Sequence, residues 1–286
     1  MTNKIRWAEL FPDEFLERQA SQSVVYLPMG MCEPHGHIAV LGLDTIKADY
    51  LCEEAARRFG GIVAPTQGYQ IHESGYHAPW LAEVVGNVRP FMTAMPPHVM
   101  LYFFLYQLRA FHNANFKTAI VLTGHAGGNE QDFELAARHF AQVSDMQVRV
   151  FADPELVRGQ FTGDHAGAYE ISQLLHIAPT MVDLSKHDRI NDADSLGRFA
   201  QGKDALAASA TQGEAIMEAS LAKLHQVVNA CSAAASAVSR PFLSYETIES
   251  VWETLKLDAP NWRTRRLNVG QTPASAESMW KPFEQV

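Results

Sequence analysis

Three short stretches of this chain combine carboxylates, imidazoles and glycines at spacings that could do chemistry. The first, CEPHGHIAVLGLD at 32–44, holds Glu33, His35, His37 and Asp44 in an apolar neighbourhood. Glu33 and His35 are two positions apart, so an extended backbone turns both side chains to one face. Asp44 returns after a glycine-containing loop, and its two oxygens could bridge two ions. The second stretch, TGHAGGN at 123–129, sets His125 in a glycine-rich turn, and the third, GDHAGAYEIS at 163–172, carries His165 and Glu170. Each has an ordinary reading when taken alone. A Glu-x-His pair arises by chance, a glycine-rich turn can cradle an anion at a helix start, and polar residues suit the start of any helix. Together they offer carboxylate oxygens and imidazole nitrogens without thiolate, the donor set of Zn, Mn and related divalent ions. Two such ions about 3.5–4 Å apart can share a hydroxide and polarise a carbonyl.

Convergence of the three stretches requires a scaffold, and the chain supplies one. SVVYLPMG (23–30), GIVAP (61–65), residues 119–123 and QVRVFAD (147–153) read as short apolar strands. Residues 44–61, 96–116, the segment after Asn129 and the segment after Asp164 read as helices. Short, continuously apolar strands alternating with helices predict a three-layer α/β/α domain with a mostly parallel sheet. Sites in such sheets form beyond the carboxyl ends of the strands, which is where all three stretches fall. Residues 66–95 form a long irregular segment with His72, Glu73, His77 and Trp80, a length that points to function. Residues 205–238 read as one or two Ala-rich helices. The chain divides into a domain at 1–240 and an arm at 241–286, without clear periodicity, that lies on the domain or on a neighbouring subunit.

Bulk composition narrows the partners. The 286 residues carry 23 Lys and Arg against 32 Asp and Glu, a net charge of −9, which argues against nucleic-acid binding. Hydrophobic content of 47% is enough for a sizeable core, yet no apolar run is long enough to span a membrane. Three widely spaced cysteines make no disulfide framework, and a cytoplasmic location is expected. His112, His139, His176, His187 and His225 have no clustered partners and read as structural or solvated.

The order of the three stretches resembles the creatininase (creatinine amidohydrolase) family. Its members carry Glu-Gln-His-Gly-Pro-His-Leu-Pro-Leu-x-x-Asp after a strand, and EPHGHIAVLGLD keeps Glu33, His35, Gly36, Leu41 and Asp44 at that spacing. They continue with Gly-His-Gly-Gly-Asn, matched by GHAGGN at 124–129, and with Asp-x-His-Ala-Gly-Glu-x-Glu-Thr-Ser, matched in part by 163–172. The resemblance spans roughly residues 20 to 180 and implies a binuclear metal hydrolase, in which a metal-bound hydroxide attacks a carbonyl. By position, Glu33 and His125 would serve one ion, His35 and Glu170 the other, and Asp44 would bridge them. His165 would be the acid/base beside the leaving group. Zn and Mn are the implied metals, the partner a small molecule, and the assembly a homo-oligomer, with hexamers known in the family.

Departures from the family pattern bear on the substrate. Pro34 replaces Gln, His37 and Val40 each replace a Pro, Ile38 replaces the second His, the second motif is one residue longer, and Ala168 replaces the first Glu of the third motif. Creatininase sandwiches its flat ring between tryptophans near the third motif, whereas this chain has no Trp between Trp80 and Trp252. The expected substrate is therefore not creatinine, and His37, His72, Glu73, His77 and Tyr169 are the candidate pocket residues. The leading reaction is opening of a cyclic amide or cleavage of another non-peptide C–N bond. The alternatives are hydrolysis of a C–C bond in a cyclic diketone from inositol or carbohydrate breakdown, and a non-catalytic protein that binds metal or ligand.

Overall fold

Alternation along one buried strand sorts the chain into layers. The structure, a computed structural model, describes residues 3–192, 195, 199–234 and 241–280. Strand β1 (Val24–Met29) is buried along its whole length. It pairs in parallel with β2 (Ile62–Val63) on one side and β3 (Thr118–Thr123) on the other, and β4 (Gln147–Ala152) adds to β3, giving the order β2-β1-β3-β4. The helices are α1 (Pro12–Ser21), α2 (Leu43–Phe59), α3 (His77–Trp80), α4 (Pro97–Asn113), α5 (Asn129–Phe140), α6 (Asp153–Leu156), α7 (Ala168–Ile177), α8 (Ala210–Ala234) and α9 (Tyr245–Leu257).

Val25, Leu27 and Met29 face one way and pack with apolar residues of α4, α5 and α9. Val24 and Tyr26 face the other way and pack with α2 and α8. The period of two along the strand thus makes three layers with a core on each side of the sheet. Each fully buried aliphatic side chain there contributes about 1.5–3 kcal/mol. Two faces covered by helices require a strand apolar at every position, which is why VVYLPM shows no polar alternation.

The segment read as an arm without clear periodicity holds regular structure. It contains α9, whose start is capped by Ser244 Oγ accepting the Thr247 N–H at 3.2 Å. Ile248, Val251 and Leu255 of α9 join the first core, as does Trp262 beyond it. Their i, i+3, i+7 spacing is the helical signal that the surrounding Pro, Trp and Arg residues mask. Residues 241–280 thus pack on their own chain, whereas 281–286 lie outside the described residues, as do 235–238 of the Ala-rich segment. Among the described residues, no helix is long and apolar enough to cross a membrane.

Candidate metal centre

The carboxyl ends of β1, β3 and β4 lie side by side and bring the three polar stretches to one edge of the sheet. The chain leaving β1 enters α2 at Leu43, so Asp44 lies within the first helical turn rather than capping it. Glycine permits the close approach. A Cβ on Gly124 would lie 2.0 Å from the Asp44 carbonyl oxygen, and one on Gly30 would lie 2.5 Å from Thr45 Cα. Any side chain at either position would push α2 off the strand ends.

His125 follows Gly124 in a turn that Asn129 closes. Asn129 Oδ1 accepts the Gly127 N–H at 3.0 Å, and its Nδ2 donates to the His125 carbonyl and to Thr123 Oγ1, each at 3.2 Å. The extra residue of this motif, Ala126, is exposed and lines the adjoining cavity. Glu170 sits in the first turn of α7, which Asp164 organises: Oδ1 accepts the Gly167 N–H at 3.1 Å and Oδ2 the Tyr169 N–H at 2.8 Å. Between them Ala166 adopts φ +51°, a left-handed conformation that costs a non-glycine residue about 1–2 kcal/mol. Its N–H donates to Glu170 Oε2 at 2.9 Å.

Two sets of donors meet around Asp44: Glu33, Asp44 and His125 form one, and His35, Asp44 and Glu170 the other. In the first, His125 Nδ1 is 2.8 Å from Glu33 Oε1 and 3.6 Å from Asp44 Oδ2. In the second, His35 Nε2 is 3.4 Å from both Asp44 Oδ1 and Glu170 Oε2. The His35 ring is fixed from behind, Nδ1 donating to the Glu33 carbonyl oxygen at 3.0 Å, so Nε2 is the nitrogen that would face an ion. All five residues are buried.

Burial alone would raise the Glu33 carboxyl, yet the imidazoles of His125, His165 and His72 hold it well below the usual carboxylate range. Burial likewise opposes a charged His125, but Glu33 and Asp44 push it up to about 10, and Asp44 and Glu170 raise His35 in the same way. The cluster is therefore one that attracts positive charge.

These residues fit divalent ions. Among the described residues, Asp44 Oδ1 and Oδ2 and His35 Nε2 are buried with no hydrogen-bond partner. Each such orphan costs about 1–3 kcal/mol. Two donors at about 2.1 Å from one tetrahedral ion lie about 3.4 Å apart. That is the spacing His35 Nε2 keeps from Asp44 and Glu170.

A cavity of about 520 Å³ opens onto one side of this cluster. Glu33 and His125 line it, whereas His35, Asp44 and Glu170 do not. His165 also lines it, stacked on His35 with ring centroids 4.7 Å apart. Its Nε2 donates to the Pro34 carbonyl oxygen at 3.1 Å, and its Nδ1 lies 4.0 Å from Glu33 Oε1.

The candidate pocket residues divide. His72 and His77 line the cavity and stack on each other at 4.5 Å. Three others fall elsewhere, which corrects their expected placement. His37 shares a 2.7 Å hydrogen bond with Ser195 Oγ and packs on Phe199. Glu73 is exposed and outside the lining. Tyr169 turns beneath α7, where its hydroxyl donates to Asp153 Oδ2 at 3.0 Å. In their place the wall is made by Tyr76, Trp80, Leu81, Met92 and Gln201, with Asn268 and Gln271 from the C-terminal segment. That segment is tied down by Gln271 Nε2 donating to the Tyr76 carbonyl at 2.9 Å and by buried Trp280 packed against Ala78, Leu81 and Val85. Sequence reading also missed Lys47, buried at 1% exposure beside Asp44 and Glu170. Its place one turn after Asp44 on α2 was the available signal.

Fold and donor set together define a three-layer α/β protein with a carboxylate–imidazole centre at the strand ends. A family model for creatininase, described as creatinine amidohydrolase, matches residues 8–238. The chain belongs to the creatininase family, whose homologues are metal-dependent amidohydrolases. A creatinine amidohydrolase of Pseudomonas putida is 26% identical over 221 residues, 67% of this chain and 78% of the relative. A crystal structure of creatinine amidohydrolase has the same fold, with a TM-score of 0.66, 21% identity, and coverage of 80% of this chain and 98% of that one. A mutant creatininase described as Zn-Zn type aligns with a TM-score of 0.65 at 22% identity over 80% of this chain and 98% of its own, and another is described as creatininase Mn.

Proposed function

We propose that this chain is a binuclear metal hydrolase that opens a small cyclic amide or cleaves another non-peptide C–N bond. The observation that carries the reading is the pair of donor sets sharing Asp44, one of which borders a cavity that His165 also lines, its Nδ1 4.0 Å from Glu33 Oε1. Glu33, Asp44 and His125 would hold one ion and His35, Asp44 and Glu170 the other. Zn or Mn bound there supplies Lewis acidity toward a carbonyl and makes water acidic enough to act near neutral pH.

The protein's own residues do the rest. The cavity volume of about 520 Å³ suits a small ring. Trp80, Leu81 and Met92 offer an apolar wall to its face, and His72, His77, Asn268 and Gln271 offer polar groups to its edge. His165 Nδ1 takes a proton on the attack side and returns it to the departing nitrogen, held in place by the Pro34 carbonyl and the His35 ring. Nothing matches the tryptophan sandwich of creatininase near the third motif, and Trp80 enters from a different segment, so the ring differs from creatinine. The polar wall also favours a second reading, C–C hydrolysis of a cyclic diketone, in which the same His165 protonates a departing carbon.

Parallel assays separate these readings. Release of ammonia or amine from cyclic amides supports the first, and acid formation from cyclic diketones without amine supports the second. A protein that binds two ions yet turns over neither class is a binding protein, and one that binds no divalent ion overturns the proposal. On the same footing we propose a homo-oligomer, a hexamer by family resemblance, which light scattering reads directly.

A further inference from the structure

Lys47 takes no part in the reading above, yet it is the buried cation beneath the acidic cluster. One turn beyond Asp44 on α2, it shares that residue's helix face. Its Nζ hydrogen-bonds Glu170 Oε1 and lies 3.2 Å from Asp153 Oδ1 and 3.6 Å from Asp44 Oδ1. Asp153 is fully buried and is itself held, its Oδ2 accepting from Tyr169 Oη and Gln173 Nε2, both at 3.0 Å. Tyr169, Glu170 and Gln173 all belong to α7, so the chain of contacts leaves that helix, passes through Asp153 and Lys47, and returns to Glu170. Burial alone would push the Lys47 ammonium down, but Asp153, Glu170 and Asp44 outweigh it and keep it charged.

We propose that Lys47, braced by Asp153, positions Glu170 by occupying one carboxylate oxygen, and so sets the affinity of the ion held by His35, Asp44 and Glu170. This rests on the metal reading above. Glu170 Oε1 is taken by the ammonium, which leaves Oε2 facing His35 Nε2, where the Ala166 N–H steadies it. A carboxylate fixed at one oxygen cannot rotate away or close on an ion through both. Among the described residues Glu33 has no buried ammonium beside it; its Oε2 lies 3.3 Å from the His72 imidazole, on the cavity side. Removing Lys47 should therefore weaken one ion and spare the other, whereas a merely structural role would affect both or neither.

The test is equilibrium dialysis of the full chain against Zn²⁺ and Mn²⁺, with bound metal counted by mass spectrometry and paired Mn²⁺ read by electron paramagnetic resonance. Wild-type protein is expected to bind two ions. Lys47→Met should keep one ion at wild-type affinity and lose about 10–100-fold for the other, with the paired-Mn signal lost. Glu33→Gln added to Lys47→Met should then weaken the remaining ion. Asp153→Asn, which leaves the ammonium in place, should give a smaller loss of the same ion, and it carries the test if Lys47→Met does not fold. Unchanged or equal loss of both ions in the variants overturns the role of Lys47 while leaving the metal centre intact. A wild-type protein that binds no ion pair fails the underlying metal reading instead.

Discussion

The two ends of the acidic cluster are built differently. The Glu33–His125 end lines the cavity, with His72 and His165 beside it. The His35–Glu170 end is closed off, resting on Lys47 and Asp153 beneath α7. One end has imidazoles that border the cavity, and the other has a buried ammonium held among three carboxylates. The difference teaches that, in the proposed hydrolase, the Glu33 side is the one open to a substrate, while the far side is packed against buried ionic partners.

Removing the residue common to both ends should have the largest effect. Asp44→Asn keeps the volume but takes away the shared charge, so both ions should weaken and kcat/KM should fall by about 1000-fold or more, equivalent to about 4 kcal/mol of barrier. Metal analysis beside steady-state kinetics checks this. Retention of both ions would show that the ends do not share a ligand.

The open end alone is probed by His165→Gln. Because His165 borders the cavity at 40% side-chain exposure, its loss should lower kcat by about 100- to 10 000-fold while metal content and folding stay as in wild type. A drop in bound metal would instead move His165 among the ligands, beside Glu33 and His35, with which it can also group.

Smaller effects should follow from the proton balance. In metal-free protein His125 is pushed up to about 10 by Glu33 and Asp44, against an ordinary value of 6.5. Its contribution to stability is thus fully present below about 6.5 and is lost as pH rises through about 10. Chelated protein should lose thermal stability between neutral pH and pH 10, and loaded protein should lose less. Because an ion needs the unprotonated ring, loading near pH 8 should release about two protons per chain, from His35 and His125, in a pH-stat titration. No release would mean that ions bind elsewhere.

Mildest of all should be Trp80→Ala on the cavity wall. It is expected to raise KM by about 10-fold with kcat little changed, the mark of lost uniform binding. An equal fall in kcat and kcat/KM would place Trp80 against the reacting atoms.

Much of the sheet was legible because its strands are buried on both faces and read as unbroken apolar runs, as in VVYLPM. The convergence of Glu33, His35, Asp44, His125 and Glu170 was also legible, since strand ends in a parallel sheet share one edge. The rest depended on distance in sequence. Lys47 looks like an ordinary surface lysine until β4 and α7 bring Asp153 and Glu170 over it. Tyr169 adjoins Glu170 but points 100° around the helix, so adjacency misplaced it. His37 follows His35 by two, yet Gly36 at φ +64° breaks the extended geometry that would have kept them together. Asn268 and Gln271 lie nearly a hundred residues beyond the last motif and had no local signal.

The C-terminal segment has a consequence for how this protein can change. Its wall residues Asn268 and Gln271 and its anchor Trp280 lie past residue 238, where the match to the family ends. The acidic cluster and part of the cavity wall thus lie in separate stretches of the chain, one inside the family match and one beyond it. Substitutions at Asn268 or Gln271 would alter the wall without touching a residue of the acidic cluster, so in the proposed hydrolase substrate choice and chemistry would vary independently.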